Sequence, residues 1–171
     1  MERNLRTASI LALIDKSNSK ELGKIQLQKL VYFLQVAGVP LGYSYEIYHY
    51  GPYSFELASE IGSLDSLGIL DVTTDPNGYG FHIRPGTFNE TYDFNAKYLS
   101  QLEKVTKTLA SNSASQLEVK ATLHFVRSVM EKRSKPTDSE VINKVKALKP
   151  HYTEKFILGC LNELKNTNWL N

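Results

Sequence analysis

The sequence predicts a predominantly helical α+β fold, with a winged-helix-like N-terminal half that carries one β-hairpin and a C-terminal helical bundle. Three observations predict it. Apolar residues recur at helical spacing in three early segments. Two β-rich runs separated by Asp75-Pro76-Asn77-Gly78 follow them. From Phe94 onward only helical periodicity remains. Helix, helix, helix, hairpin is the order of a winged-helix unit, and trailing helices are frequent additions to such units, an argument by fold-level analogy. The expected division is residues 1–92 for the winged-helix-like region, with its hairpin at 69–85, and 93–171 for the helical region, the two packing as one unit.

Each element has a local justification. Asn4 to Lys16 carries Leu5, Ile10, Leu11, Leu13 and Ile14 as a helical face, and Ser17-Asn18-Ser19 breaks it. Ile25 to Val36 is the second helix, with Gly38 just past its end. Pro40 to Tyr50 alternates weakly, as a short strand or an extended loop, and Gly51-Pro52 reads as a turn. Ser54 is a good N-cap for a helix running to about Ser66 with Phe55, Leu57, Ala58, Ile61 and Leu64 as apolar positions; Gly68 ends it. Ile69–Thr74 and Phe81–Pro85 form the hairpin, and Gly86 to Thr91 is a loop. The remaining helices are expected at Phe94–Leu109, Gln116–Lys132, Asp138–Leu148 and Thr153–Leu164, with Pro136 and Pro150 marking fresh starts.

Composition narrows the function classes. The chain has 171 residues, 42% hydrophobic and 22% charged, which suits a globular protein able to bury a core without staples. Twenty Lys and Arg against 18 Asp and Glu leave a formal charge of +2, too balanced to argue for nucleic acid or a polybasic membrane surface. The single cysteine, Cys160, has no internal disulfide partner, which fits a reducing cytoplasm. The first apolar run is too short for a membrane span and lacks a small-residue cleavage site, so no membrane association is expected.

Catalytic signatures are missing from the sequence. It has no CxxC, HExxH, GxSxG or phosphate-binding glycine loop. His49, His82, His124 and His151 are far apart, and none sits at HxH or HxxxH spacing. Cys160 shares a helical face with Ile157, Leu161 and Leu164 and is expected to be buried and inert. Glu46, Glu56 and Glu60 lie near the aromatic run, but a working carboxylate pair depends on surroundings that sequence does not show. The expectation is therefore a non-enzyme with no catalytic residue, no cofactor and no metal.

The densest feature is the run from Lys24 to Ser54, whose aromatic part ends Tyr48-His49-Tyr50-Gly51-Pro52-Tyr53-Ser54. Tyrosine packs like a hydrophobe yet keeps a polar tip. Tyr43, Tyr45, Tyr48, Tyr50 and Tyr53 therefore read either as a polar-rimmed core, favoured for most of them, or as exposed anchors for a partner protein. The nucleic-acid reading is weaker. The third helix holds Glu56, Glu60 and Asp65 and no Lys or Arg, so it would meet phosphates with negative charge. Lys24 and Lys29 on the second helix, and His82 and Arg84 on the hairpin, are what such a reading has to work with. Lys120, Arg127, Lys132, Arg133 and Lys135 read as a solvated helix surface.

The string LQKLVYFLQ, a spacer, Tyr-His-Tyr-Gly-Pro-Tyr-Ser and a helix ending Leu67-Gly68-Ile69-Leu70 resembles the YwgA-like bacterial and archaeal proteins. More distantly it resembles the Panacea antitoxin domain of SocA- and GepA-like proteins. The likeness is best over Ile25 to Leu70, and Leu148-Lys149-Pro150-His151-Tyr152-Thr153 resembles a helix-connecting segment of the YwgA-like group. The resemblance implies a mostly helical fold with a winged-helix-like element and no established catalytic centre. For the Panacea group it implies neutralising a toxin by direct binding, or delivering a client to a protease. The matching positions are Gln28, Lys29, Tyr32, Tyr50, Gly51, Pro52 and Ser54. The expected function is a protein-binding regulatory module of antitoxin or adaptor type; the alternative is a winged-helix nucleic-acid regulator. The expected partner-binding residues are Gln28, Lys29, Tyr32, Tyr48, Tyr50, Gly51, Pro52 and Tyr53. The partner is expected to be a toxin or a protease client, with a homodimer also open.

Overall fold

Helices dominate the chain, and the second of them packs against the first, fourth and fifth. The computed structural model describes residues 2–88 and 91–171; Asn89 and Glu90, within the expected loop 86–91, lie outside the described residues. The elements in order are α1 (Glu2–Asp15), α2 (Lys24–Val36), β1 (Glu46–Tyr48), β2 (Gly51–Tyr53), α3 (Phe55–Ser66), β3 (Leu70–Thr74), β4 (Phe81–Pro85), α4 (Leu99–Leu109), α5 (Ala114–Glu131), α6 (Asp138–Leu148) and α7 (Glu154–Asn166). A 3-10 turn at Ala96–Tyr98 leads into α4. The fold is α+β and predominantly helical, with two small antiparallel hairpins.

Local chemistry starts most of these helices. Ser54, Ser113, Thr137 and Thr153 accept backbone N–H bonds at the heads of α3, α5, α6 and α7. Gln116 and Glu140 return the favour to the capping residues' own amides. At the head of α2, Gln26 Oε1 accepts from the Gly23 amide at 2.9 Å.

Helix α2 lies at the centre of one continuous core. Leu27, Leu30, Val31, Phe33 and Leu34 are all buried, against Ile10, Leu13 and Ile14 of α1 on one side and Leu117, Val119, Leu123 and Val126 of α5 on another. Trp169, beyond α7, packs edge-on against Phe33 at 4.9 Å and donates its indole N–H to Thr108 Oγ1. The two halves of the chain therefore share a core. The β3–β4 hairpin runs Leu70↔Pro85 to Thr74↔Phe81. Its β4 strand also pairs with Leu22, the residue between α1 and α2, through one antiparallel bridge to Ile83.

The other hairpin differs from the sequence expectation. Gly51 and Pro52 are not its turn; they are the first residues of β2, paired as Tyr48↔Gly51 and Ile47↔Pro52. The turn is His49-Tyr50. Neither of these residues has positive φ, and Gly51 takes the left-handed conformation at φ 81°. That is the arrangement of a type I turn followed by a glycine bulge.

Candidate functional site

The Tyr-Gly-Pro hairpin is held against α2 and α5 by a buried polar network. Gln28, fully buried on α2, grips Ser54 with both ends of its amide: Nε2 donates to the Ser54 carbonyl and Oε1 accepts from the Ser54 amide, each at 2.9 Å. One turn position further, Lys29 has no exposed surface at all, and its Nζ donates to the Pro52 carbonyl at 2.6 Å. Proline has no N–H to offer the β1–β2 ladder. Its carbonyl turns inward and finds the lysine.

A second buried lysine arrives from the far end of the chain. Lys149, between α6 and α7, donates to the His49 carbonyl at 2.5 Å and pairs with Glu118 of α5 at 2.8 Å. The other Glu118 oxygen accepts from Tyr152 at 2.9 Å. Two cations and one carboxylate are thus enclosed together. Burial pushes the Lys29 amine down to about 8; Glu118 opposes that shift and Lys149 reinforces it. An amine lowered this far is chemically competent as a nucleophile or base. Here it is sealed beneath Pro52, so its work is to hold the hairpin.

Glycine is required where β2 meets α5. A Cβ on Gly51 would lie 2.5 Å from Thr122 Oγ1 and 3.3 Å from the Glu118 carbonyl. Only a residue without a side chain lets the hairpin approach the helix this closely.

The hairpin's solvent side is aromatic. Tyr48 is 45% exposed, Tyr50 56% and Phe55 52%. Tyr48, Tyr53 and Phe55 form a mutual cluster with ring centroids 5.0–5.6 Å apart, and His49 lies 4.3 Å from Tyr48. Behind it the remaining tyrosines are structural. Tyr43 is buried, with Arg6 stacked 4.3 Å over its ring and its hydroxyl donating to Glu60. Tyr32 bonds His124 Nδ1 at 2.7 Å and meets Tyr45 edge-on. Burial raises both phenols and pushes His124 down to about 4.

The expected partner-binding set therefore divides. Gln28, Lys29, Tyr32, Gly51 and Pro52 are buried inside the chain and bond or pack within it. In this conformation they support the hairpin from within the chain. Tyr48 and Tyr50 are exposed, and Tyr53 is half-buried in the cluster. The expectation that most of the five tyrosines are core holds for Tyr43 and Tyr45 only, because the hairpin turns the other three outward. Lys29 is also lost as a phosphate contact, and Lys120, expected on a solvated surface, is 2% exposed and paired with Glu163.

Several other polar groups are paired internally. His82 sits between Asp75 and Glu21, at 2.7 and 3.0 Å, and these hydrogen bonds raise its pKa, Asp75 first. Among the described residues no group of three or more His, Cys, Asp and Glu is placed to hold a metal. Cys160 is buried, and burial pushes its thiol up to about 11. A cleft of about 540 Å³ runs between α1 and α3, with Arg6, Glu56, Glu60 and Ser63 in its walls.

Sequence reasoning missed Lys149, Glu118, Tyr152 and Thr122. Lys149 and Tyr152 lie in the segment that carried the secondary resemblance; Glu118 and Thr122 have no signal beyond standing one helical turn apart.

The fold and site define a predominantly helical α+β protein that holds an aromatic hairpin on a buried polar base. By sequence the chain is similar to "Uncharacterized protein YwgA" of Bacillus subtilis (strain 168), with 24% identity over 164 residues, 94% of this chain and 98% of that protein. No protein-family model matches the chain. Among the described residues no helix is long and apolar enough to cross a membrane.

Proposed function

We propose that this chain is a non-enzymatic, cytoplasmic, protein-binding regulatory module of antitoxin or adaptor type, acting on a toxin or on a client bound for a protease. The observation that carries the reading is the cluster of exposed Tyr48 and Phe55 with half-buried Tyr53, on a hairpin held from behind by Gln28, Lys29 and Lys149. Aromatic residues are typical interface anchors. Fixing them before binding reduces the ordering cost of association. The partner class comes from the likeness of the Leu-Gln-Lys and Tyr-Gly-Pro strings to the Panacea group. Affinity capture from native cytoplasm with nuclease treatment tests it. A stoichiometric protein that survives nuclease, and that Tyr50→Ala weakens without loss of helical signal, is the expected result. Recovery only of nucleic-acid-associated proteins that vanish on nuclease treatment would overturn it.

One observation favours a second reading, a winged-helix nucleic-acid regulator. The order α1, Leu22 bridge, α2, α3, β3–β4 is compatible with a winged helix. Against it, α3 holds Glu56, Glu60 and Asp65 without a cation, and Lys29 is sealed.

A further inference from the structure

From residue 30 to residue 83 the sequence contains no Lys or Arg, yet it carries Glu46, Glu56, Glu60, Asp65, Asp71 and Asp75. This stretch builds both hairpins and α3. Most of its carboxylates are answered from elsewhere or by the backbone. Arg6 reaches Glu56 at 2.7 Å and Glu60 at 3.6 Å. Arg84 and His82 stand beside Asp71 and Asp75. Asp65 accepts from the Val72 amide. Glu46 is different. It is exposed on β1, and its carboxylate has no hydrogen-bond or ion-pair partner among the described residues. The strand register sets it directly opposite Tyr53 and on the same face as Tyr48.

An aromatic ring face is electronegative and attracts a cation, more strongly when a carboxylate stands nearby. The chain already makes this pairing once, where Arg6 stacks over Tyr43 and contacts Glu60. On the hairpin the rings and the carboxylate are in place and no cation is supplied. We propose that the Glu46, Tyr48, Tyr53 and Phe55 face is the docking site for a basic segment of the partner protein, one whose Arg or Lys side chains lie over the exposed rings and pair with Glu46. This deepens, and rests on, the protein-binding reading above. The Glu46 carboxylate repels a phosphate backbone, which argues against nucleic acid as the occupant.

The test has two arms. In the first, an oligoarginine peptide and its neutral citrulline counterpart are titrated into the full chain and backbone amide shifts are mapped. The expected result is saturable shifts over residues 46–55 with oligoarginine only, weakening as salt rises. Tyr48→Ser and Phe55→Ser should each raise Kd about tenfold, and Glu46→Lys at least as much. Circular dichroism of each variant should match the parent, because these side chains are substantially exposed. Shifts that map elsewhere, or equal binding of the citrulline peptide, overturn the proposal. In the second arm a photo-reactive benzoylphenylalanine replaces Tyr50 at the hairpin tip, and the peptide it captures in native lysate is sequenced. A captured peptide bearing clustered Arg or Lys supports the proposal. A peptide without net positive charge, or a second copy of this chain, overturns it while leaving the protein-binding reading standing. No captured protein overturns both.

Discussion

Replacing Gly51 by alanine tests the central claim that the hairpin docks on α5 by backbone-to-helix contact. Two penalties are expected together. The residue sits at φ 81°, where a side chain costs about 1–2 kcal/mol. The new methyl would also lie 2.5 Å from Thr122 Oγ1, and forcing an extra carbon into a packed site typically costs about 1–3 kcal/mol. The sum is roughly 2–5 kcal/mol, which for a chain of this size lowers Tm by roughly 4–20 °C. The assay is urea denaturation followed by circular dichroism, with the thermal midpoint as a check. A second variant separates the two causes. Thr122→Ala removes the close oxygen but leaves the left-handed backbone and the Glu118 carbonyl at 3.3 Å. Gly51→Ala combined with Thr122→Ala should therefore recover about 1–2 kcal/mol relative to the sum of the single changes, a coupling expected only of residues in contact. If Gly51→Ala falls within about 0.5 kcal/mol of the parent, the close approach is wrong and the docking geometry with it.

Two further outcomes follow from the same network. Gln28→Leu keeps the volume but strips the Ser54 amide of its acceptor and leaves the Ser54 carbonyl with the Ala58 amide alone, so it should destabilise by about 1–3 kcal/mol and abolish hydrogen-exchange protection at Ser54. His124, neutral and held down at about 4 by burial, binds its proton less readily folded than unfolded. The unfolded chain therefore takes up more protons between about pH 6.5 and 4, and stability should fall as pH drops through that window by up to about 3 kcal/mol. In His124→Gln that part of the acid slope should be absent from urea midpoints measured at pH 7 and pH 5.

The helices were legible in the sequence because their apolar spacing and their caps agree, as at Ser54, where the cap residue, the Phe55 start and the Ser66 end all match. The β3–β4 hairpin was equally plain from its Pro-Asn-Gly turn. The β1–β2 hairpin was not. Its turn residues, His49 and Tyr50, are not turn formers, and the Gly-Pro pair beside them imitates a turn while serving as a bulge and as the carbonyl acceptor for Lys29 of α2. The polar network was hidden for a different reason. A lysine between apolar neighbours on a helix is ordinarily a solvated residue. Nothing local marks Lys29 as enclosed, because the groups that enclose it come from β2 and from residues 118 and 149. The acidic, aromatic surface had a readable signal, the absence of Lys and Arg from 30 to 83, which the chain's overall balance of charge conceals.

Why a chain should bury Lys29 at all can be argued from the direction of its titration. Its amine loses its proton near pH 8 when folded and near 10.5 when unfolded. Below pH 8 both states are protonated, and the folded chain bears the full cost of the enclosed charge. Between about 8 and 10.5 the unfolded chain binds more protons, so stability from this group rises with pH by about 1.4 kcal/mol per unit. Tyr32, Tyr43 and Tyr45, with phenols raised by burial, act in the opposite sense from about pH 10, which leaves the lower part of the window to Lys29. Lys29→Met removes the charge and keeps the stem. Between pH 7 and pH 9.5 the parent should gain about 2 kcal/mol relative to this variant, and identical pH profiles would refute the assignment. The lysine's return for its cost is directional. Lys29 and Lys149 donate to the carbonyls of Pro52 and His49, and an apolar side chain at either place would fill space without selecting a register. Lys29→Met should therefore speed amide exchange at Gly51 and Tyr53 even at a pH where its global stability equals the parent's. Protection unchanged there would mean that Gln28 and the Gly51 contact suffice to hold the aromatic face in place.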